Sequence, residues 1–155
     1  MKFRILLLVL SVALVSGCAQ SSHKAPAAPN PEKVTAIKEL GDTRWTLSVL
    51  EGQAVAFSAS GWDTPSLDFA ADQQSVTGLA GVNRFGGRYA QDGAALTFGP
   101  LALTRRIGPA EQMDLESRYT RVLSGVTGWR QLGAQIELIA DGKVGAVLSP
   151  VAVKK

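Results

Sequence analysis

The sequence predicts an α+β domain that is mainly β, with an antiparallel sheet of about eight strands curled into a barrel or half-barrel and one helix covering its open side. Short segments in which apolar and polar residues alternate recur roughly every 8–12 residues and are separated by turn residues. Only one segment has the spacing of an amphipathic helix. Strands and helices do not alternate along the chain, which disfavours a parallel α/β sheet.

The first half of the domain is predicted to consist of strands joined by short turns. Trp45, Leu47 and Val49 alternate with polar residues, as is typical of a half-buried strand. Similar patterns predict five further strands, at residues 54–58, 67–69, 75–79, 88–90 and 95–98. The turn at 91–93 ends in Gly93 and makes the last two of these strands a hairpin.

The single predicted helix lies between Pro109 and Gly125, a segment with no other Gly or Pro. Its apolar residues fall on one face, at positions i, i+4, i+7, i+8 and i+11. They are Leu115, Tyr119, Val122, Leu123 and Val126. Pro109 suits the first turn of the helix, and Gly125 or Gly128 can end it.

Three more strands are predicted after the helix, at residues 129–132, 135–140 and 144–148. Asp141-Gly142 between the last two is a strong hairpin signal, because both residue types tolerate the positive φ of a tight turn.

The N-terminal residues have the features of a targeting signal. Lys2 and Arg4 precede an apolar run at 5–14 that is too short to span a bilayer as a mature helix. The following Val15-Ser16-Gly17-Cys18 resembles the lipobox of bacterial lipoproteins. That resemblance implies cleavage before Cys18, a diacylglyceryl group on its thiol and an acyl group on its new amino terminus. An ordinary secretory signal with an incidental cysteine is the alternative.

The resemblance divides the chain into a lipoprotein signal peptide at 1–17, a lipidated Cys18 with a flexible tether at 18–39, and a folded domain at 40–150. The tether is rich in Ala, Pro and Ser and has no apolar periodicity. Several acyl chains on one residue anchor a protein stably. Because Ala19 and not Asp follows the cysteine, resemblance to Gram-negative lipoproteins implies sorting to the outer membrane, with the domain facing the periplasm.

The charge balance gives little support for nucleic-acid binding. The chain has 16 Lys and Arg against 13 Asp and Glu, and two of the basic residues, Lys2 and Arg4, leave with the signal peptide. The basic character of the full chain is therefore largely a property of its leader.

Residue types exclude most catalytic chemistry. His23, in the tether, is the only histidine, and Cys18 is the only cysteine. The folded domain therefore lacks the residues for a Ser-His-Asp triad, a Cys-His pair or a His/Cys zinc site. Paired carboxylates are the remaining enzymatic alternative, but Asp114 and Glu116 point in different directions on a helix. We therefore expect no enzyme, no metal and no cofactor.

The most constrained stretch runs from Gly78 to Tyr89 and contains four glycines in twelve residues. Glycine permits positive φ, bulges and close backbone approach, and Asn83 tolerates the left-handed region best among the other residues. The stretch is either a ligand loop displaying Arg84 and Phe85, or a barrel corner with its aromatic residues in the core. It lacks the pattern of a phosphate-binding loop.

Four arginines form a second polar set. Arg84 and Arg88 lie in the glycine stretch, and Arg105-Arg106 precede the helix. They could form an anion-binding rim if the sheet brings them together. Alternatively, each packs its aliphatic stem over an aromatic ring or pairs with Glu116.

The order of these motifs resembles the META domain, the HslJ-like family of small secreted and lipoprotein domains. The resemblance covers nearly all of residues 40–148. It rests on five segments: Thr43-Arg44-Trp45, the Gly-x-x-Gly-x-Asn-Arg-Phe-x-Gly-x-Tyr run from Gly78 to Tyr89, the Leu96 to Arg105 run ending in Thr-Arg, Pro109 with Met113 and Glu116, and the closing hairpin at 136–148. The motif cluster that it singles out for binding or structure is Asn83, Arg84, Phe85, Tyr89, Thr104 and Arg105.

The chain departs from the family pattern at two positions. The family usually has a cysteine before the Asn and another a few residues after Thr-Arg, where this chain has Val82 and Gly108. Any redox or disulfide role of those cysteines in relatives is therefore absent here.

The resemblance implies a mainly antiparallel β fold with one helix, and no catalytic activity is carried over from it. We expect a non-enzymatic lipoprotein anchored in the outer membrane through Cys18. Its domain would bind an envelope protein or other component, or act structurally, in envelope integrity and stress resistance. The alternative is an inhibitor of a secreted hydrolase such as a lysozyme or a protease, since small β-barrel lipoproteins serve in this way.

Overall fold

The computed structural model describes residues 37–55 and 63–151. The predicted signal peptide, Cys18 and most of the predicted tether lie outside the described residues, as does the greater part of the strand predicted at 54–58. The described chain has ten strands and one helix. The strands are β1 (Arg44–Leu50), β2 (Gln53–Ala54), β3 (Ser66–Ala70), β4 (Ser75–Leu79), β5 (Arg84–Asp92), β6 (Ala95–Phe98), β7 (Ala102–Leu103), β8 (Val126–Leu132), β9 (Gln135–Ala140) and β10 (Lys143–Pro150), and the helix is α1 (Ala110–Ser124).

Eight of the strands close into an antiparallel barrel, in the order β1-β3-β4-β5-β6-β8-β9-β10 and back to β1. The two short strands lie outside this ring, where β2 pairs with β1 and β7 pairs with β5. The mainly β fold with one helix is therefore confirmed, and the sheet closes completely. The thinnest junction is between β6 and β8, which share the single residue pair Ala95 and Gly128.

Inward-facing residues of the strands fill the barrel with apolar side chains. In β1, for example, Trp45, Leu47 and Leu50 are buried. A one-residue shift in the pairing of β1 with β10 after Leu47 keeps the last of these residues inside the barrel despite the broken alternation. Burial of alternate residues, as in β3 and β4, is what selects this register.

The helix contacts the connections at one end of the barrel. Glu116 reaches the β4–β5 loop, and Arg118 donates to Glu51 in the β1–β2 turn at 2.8 Å. Val122 packs against Gly145 near the start of β10, where a Cβ atom would lie 2.7 Å from Val122 Cγ1. The helix stops at Gly125, and Val126, which its spacing assigned to the helical face, instead begins β8.

The described chain enters at the opposite end of the barrel. The Ile37 amide donates to Gln131 Oε1 at 2.6 Å, and the Leu40 amide donates to Gln91 Oε1 at 2.9 Å. Gln91 and Gln131 lie near the ends of β5 and β8, whereas the β4–β5 loop lies at the start of β5. The two ends of the barrel thus differ: one receives the chain and the other carries the helix.

The glycine stretch is mostly strand. Gly78 belongs to β4, residues 84–89 belong to β5, and only residues 80–83 form a loop. Gly78 pairs with Phe85, whose ring covers it, so that a Cβ atom at Gly78 would lie 2.6 Å from Phe85 Cζ. Glycine is required here because the Ser66 carbonyl oxygen, 2.1 Å from the position of a Cβ atom, and the aromatic ring together occupy the space of a side chain.

Tyr119 of α1 gives a prediction about stability. Its ring is fully buried and meets Phe85 edge-on at 6.3 Å, and its hydroxyl has no hydrogen-bond partner among the described residues. Because burying an unpaired hydroxyl is costly, Tyr119→Phe is expected to raise the free energy of unfolding by about 1 kcal/mol. Urea denaturation at pH 7 measures this change, and a loss of stability would show that the hydroxyl has a partner.

The same variant changes the alkaline stability. Burial, and secondarily the charge of Asp68, raises the pKa of Tyr119 above its ordinary value. The free energy of unfolding is therefore unaffected by titration of Tyr119 below a pH of about 10. It falls as the pH rises further, because the unfolded state then releases the proton that the folded state retains. Tyr119→Phe should flatten this decline. Some slope should remain from Tyr89, whose pKa is raised by burial and by the carboxylates of Asp42 and Glu39.

Candidate functional site

Asn83 is the centre of a buried hydrogen-bond network and is only 2% exposed. Its side-chain NH2 donates to the Arg106 carbonyl at 3.0 Å and to Glu116 Oε1 at 2.9 Å. Its carbonyl oxygen accepts from the Thr104 hydroxyl at 2.8 Å and from the Arg106 amide at 2.6 Å. The amide group therefore makes all four hydrogen bonds that its chemistry allows.

Glu116 connects this network to the helix. Its Oε2 accepts from the consecutive backbone amides of Val82 and Asn83, at 3.1 and 2.7 Å, while its Oε1 accepts from the Asn83 side chain. Gly81 permits this approach, because a Cβ atom there would lie 2.5 Å from the Gln112 carbonyl oxygen. The carboxylate thus fixes the β4–β5 loop against α1 through three N–H groups.

The same network holds the segment that follows β7. The Thr104 amide donates to the Arg84 carbonyl at 3.0 Å, and the Arg84 amide donates to the Thr104 hydroxyl at 3.2 Å. From Thr104 to Ile107 the side chains are exposed, and Ile107 is 95% exposed. We call Thr104, Arg105, Arg106 and Ile107 the exposed segment. The backbone of Thr104 and Arg106 is held from beneath, while the side chains of Arg105, Arg106 and Ile107 are exposed to solvent.

A groove of about 440 Å³ lies beside this segment. Arg84 and Arg106 line it together with Thr104, and the remaining lining residues are Asp63, Leu79, Gly81 and Val82. A volume of this size is within the usual range for ligand sites. Groove and network lie at the helix-bearing end of the barrel, away from the point where the chain enters.

The arginines around the groove differ from three arginines elsewhere in the domain, which form ion pairs. Arg44 pairs with Asp68, Arg118 with Glu51, and Arg130 with Glu137. In contrast, the guanidinium groups of Arg84, Arg105 and Arg106 make no ion pair or hydrogen bond within residues 37–55 and 63–151. Two of these three line one groove, so positive charge is available there for an anionic ligand.

The structure separates the predicted motif cluster into two groups. Asn83, Arg84, Thr104 and Arg105 come together at the groove and the exposed segment. Phe85 and Tyr89 are core residues, and Tyr89 meets Phe69 edge-on at 5.0 Å.

Of the four arginines considered for the rim, Arg88 lies away from the groove. Arg88 donates to the Gln73 carbonyl at 3.0 Å, in the β3–β4 turn at the other end of the barrel. Among the described residues, pairing of an arginine with Glu116 is not found, because the carboxylate binds Asn83 and the Val82 amide instead.

Two further observations bear on what the domain can do. Within the described part of the chain, no group of three or more His, Cys, Asp or Glu side chains is arranged to hold a metal ion. The helix described here is too short and too polar to cross a bilayer.

Comparison with known proteins decides the family. The family model of the META domain matches residues 38–151. The chain belongs to the META domain family. A search of curated proteins finds no match to this META domain.

Two solved structures are similar to this META domain. One is the NMR structure of a protein from Burkholderia xenovorans, which is 28% identical, has a TM-score of 0.56, and is aligned over 80% of this chain and 95% of that one. The other, also an NMR structure, is 20% identical, has a TM-score of 0.60, and is aligned over 75% and 95% of the two chains. At 20% identity, the second structure shows only a shared fold.

The two positions at which this META domain departs from the family pattern are in direct contact. A Cβ atom built on Gly108 would lie 2.4 Å from Val82 Cγ2 and 3.3 Å from Val82 Cβ. The methyl groups of Val82 therefore occupy the space in which a side chain at residue 108 would lie. This contact joins the β4–β5 loop to the end of the exposed segment.

Glu116 is the residue of the site whose role the sequence analysis missed. The sequence pointed to Glu116 only as half of a carboxylate pair, as a possible arginine partner and as a residue of the family motif. It precedes Tyr119 by three positions and Leu123 by seven, which places it on the buried face of the helix. A carboxylate on that face needs hydrogen-bond donors, and this requirement is the signal that could have identified it.

Proposed function

We propose that this META domain is a non-enzymatic binding module of the bacterial envelope, held at the outer membrane by lipid on Cys18. Its ligand site would be the groove beside Arg84 and Arg106. One observation supports this proposal above the others: a fully bonded buried network, centred on Asn83, holds the backbone of two arginines that have no ion-pair partner in the described residues.

The groove suits an anionic group carried by a larger molecule. Guanidinium groups bind carboxylates and phosphates through paired N–H donors, and fixed backbone positions reduce the entropy lost on binding. Asp63 lines the same groove. Its carboxylate disfavours a small free anion and favours a ligand that carries both a negative group and a hydrogen-bond donor. A protein or glycan of the envelope could supply both.

Substitution of both groove arginines tests the binding role. Cells that lack the native copy are expected to be sensitive to envelope stress. The double variant Arg84→Ala with Arg106→Ala is expected to fail to restore their resistance. Stability should change by no more than about 0.5 kcal/mol, because only solvent-exposed side-chain atoms are removed. The matched control is Arg121→Ala, an exposed arginine in the last turn of α1 with no ion pair among the described residues.

The anchor is tested in the same cells. Cys18→Ser should move the protein from the membrane fraction to the soluble fraction and prevent labelling by fatty acid. If the wild type takes up no label, the prediction of a lipid anchor is wrong.

If the double arginine variant is stable and complements fully, the groove is not the functional site.

A further inference from the structure

The exposed segment has an unusual division of hydrogen bonds. Arg106 has both its N–H and its C=O bound by the Asn83 side chain, and Thr104 is held through its amide and its hydroxyl. Arg105, between them, makes no hydrogen bond through its main chain or side chain within the described residues. The segment is therefore fixed on either side of one residue whose donors and acceptors are all available.

This arrangement has the properties that a substrate-like protease inhibitor requires. A serine protease binds the main chain of the residue in its specificity pocket, so that residue must have a free N–H and C=O. The flanking residues must be held by the inhibitor body, since pre-organisation lowers the cost of binding and keeps the segment in place. In this domain Asn83 supplies that support from the barrel.

We infer that the domain inhibits serine proteases specific for basic residues, with Arg105 as the side chain that enters the acidic specificity pocket. The inference rests on the proposed binding role of this end of the barrel, but it uses the Arg105 tip and not the Arg84–Arg106 groove. The negative charge at the base of such a pocket complements the guanidinium, which has no ion pair in the described residues. Ile107, at 95% exposure, follows two residues later and would be buried against the protease surface.

The availability of the Arg105 main chain favours a protease over other hydrolases. An arginine side chain alone could also reach the carboxylates of a lysozyme. A glycosidase cleft, however, reads sugar hydroxyls and has no need of a free peptide N–H and C=O next to the arginine. A protease uses both.

Inhibition of trypsin by the full mature chain in mild detergent tests the inference. We expect an inhibition constant below about 10 µM, measured with a small chromogenic substrate. Arg105→Ala should weaken inhibition roughly 30-fold or more, as expected for a central interface residue. Arg105→Lys should retain it, and Arg105→Leu should transfer it from trypsin to chymotrypsin. Arg121→Ala is the matched control and should inhibit like the wild type.

Four results would overturn the inference. One is rapid hydrolysis of the Arg105–Arg106 bond without inhibition, which would make the segment a plain substrate. Another is inhibition that Arg105→Ala leaves unchanged. The third is inhibition of lysozyme but not of trypsin. The fourth is that the wild type does not inhibit trypsin. If the double groove variant still loses complementation in that case, the proposed function stands and only this inference is rejected.

Discussion

Replacing Asn83 by alanine is expected to lower the free energy of unfolding by about 3–5 kcal/mol, near the upper end of single-residue effects. The substitution removes four hydrogen bonds at once. It leaves the Arg106 amide and Glu116 Oε1 without the partner that now satisfies them, and each orphaned group costs about 1–3 kcal/mol. The loss should appear as a shift of the urea midpoint with an unchanged m-value.

Gln91→Ala is the matched control for Asn83→Ala. The Gln91 amide likewise bonds main-chain groups, accepting from the Leu40 amide and donating to the carbonyls of Lys38 and Gly93. It lies at the chain-entry end of the barrel and is half-buried, so water can replace its partners. We expect it to cost only about 1 kcal/mol. Equal losses in the two variants would show that water replaces the partners of Asn83 as well.

A disulfide between residues 82 and 108 is expected to raise the free energy of unfolding by about 3–4 kcal/mol, on the loop-entropy estimate for a closure of this length. The Cβ positions are 3.3 Å apart, slightly closer than the roughly 3.5–4.5 Å of natural disulfides. Cysteine at residue 82 removes the Val82 methyl groups that would otherwise collide with a side chain at residue 108. The variant is Val82→Cys with Gly108→Cys, made on a Cys18→Ser background.

Oxidised and reduced forms of this double variant provide the internal comparison. Thiol titration establishes that the bond has formed, and thermal unfolding of both forms gives its contribution. Gly108→Ala, with Val82 retained, should be destabilised, because its new methyl group would lie 2.4 Å from Val82 Cγ2. A disulfide that forms readily without stabilising the protein, or a well-tolerated Gly108→Ala, would contradict the packing of these two residues.

The fold could be predicted where side chains alternate or turns have strict requirements. Asp141 and Gly142 both have positive φ, as the hairpin signal predicted, and the helix stops at Gly125. The extent of β5 was underestimated, since its strand was predicted only from residue 88. Gly86 and Gly87 carry no side chain and so give no alternation. Their strand conformation comes from pairing with β4, opposite Thr77 and Val76.

The membership of the candidate site was predictable only in part, since Asn83, Arg84 and Thr104 lie together but Phe85 and Tyr89 lie in the core. Strand alternation could have separated the inward Phe85 and Tyr89 from the outward Arg84, because successive side chains of a strand face opposite sides. The exposed segment has neither helical nor strand periodicity. Its position depends on hydrogen bonds from Asn83, which is 21 residues away from Thr104 in the chain. No local pattern encodes such contacts.

Closure of the barrel between β1 and β10 has a consequence for how the chain reaches this structure. The pairing joins Thr46 to Ser149, which are 103 residues apart, so the first strand finds its last neighbour only when synthesis of the domain is nearly complete. Pairings between distant parts of a chain are slow to form, and until then strand edges stay exposed to other chains. Loss of β10 would therefore expose both β1 and β9 and favour aggregation over a smaller native fold.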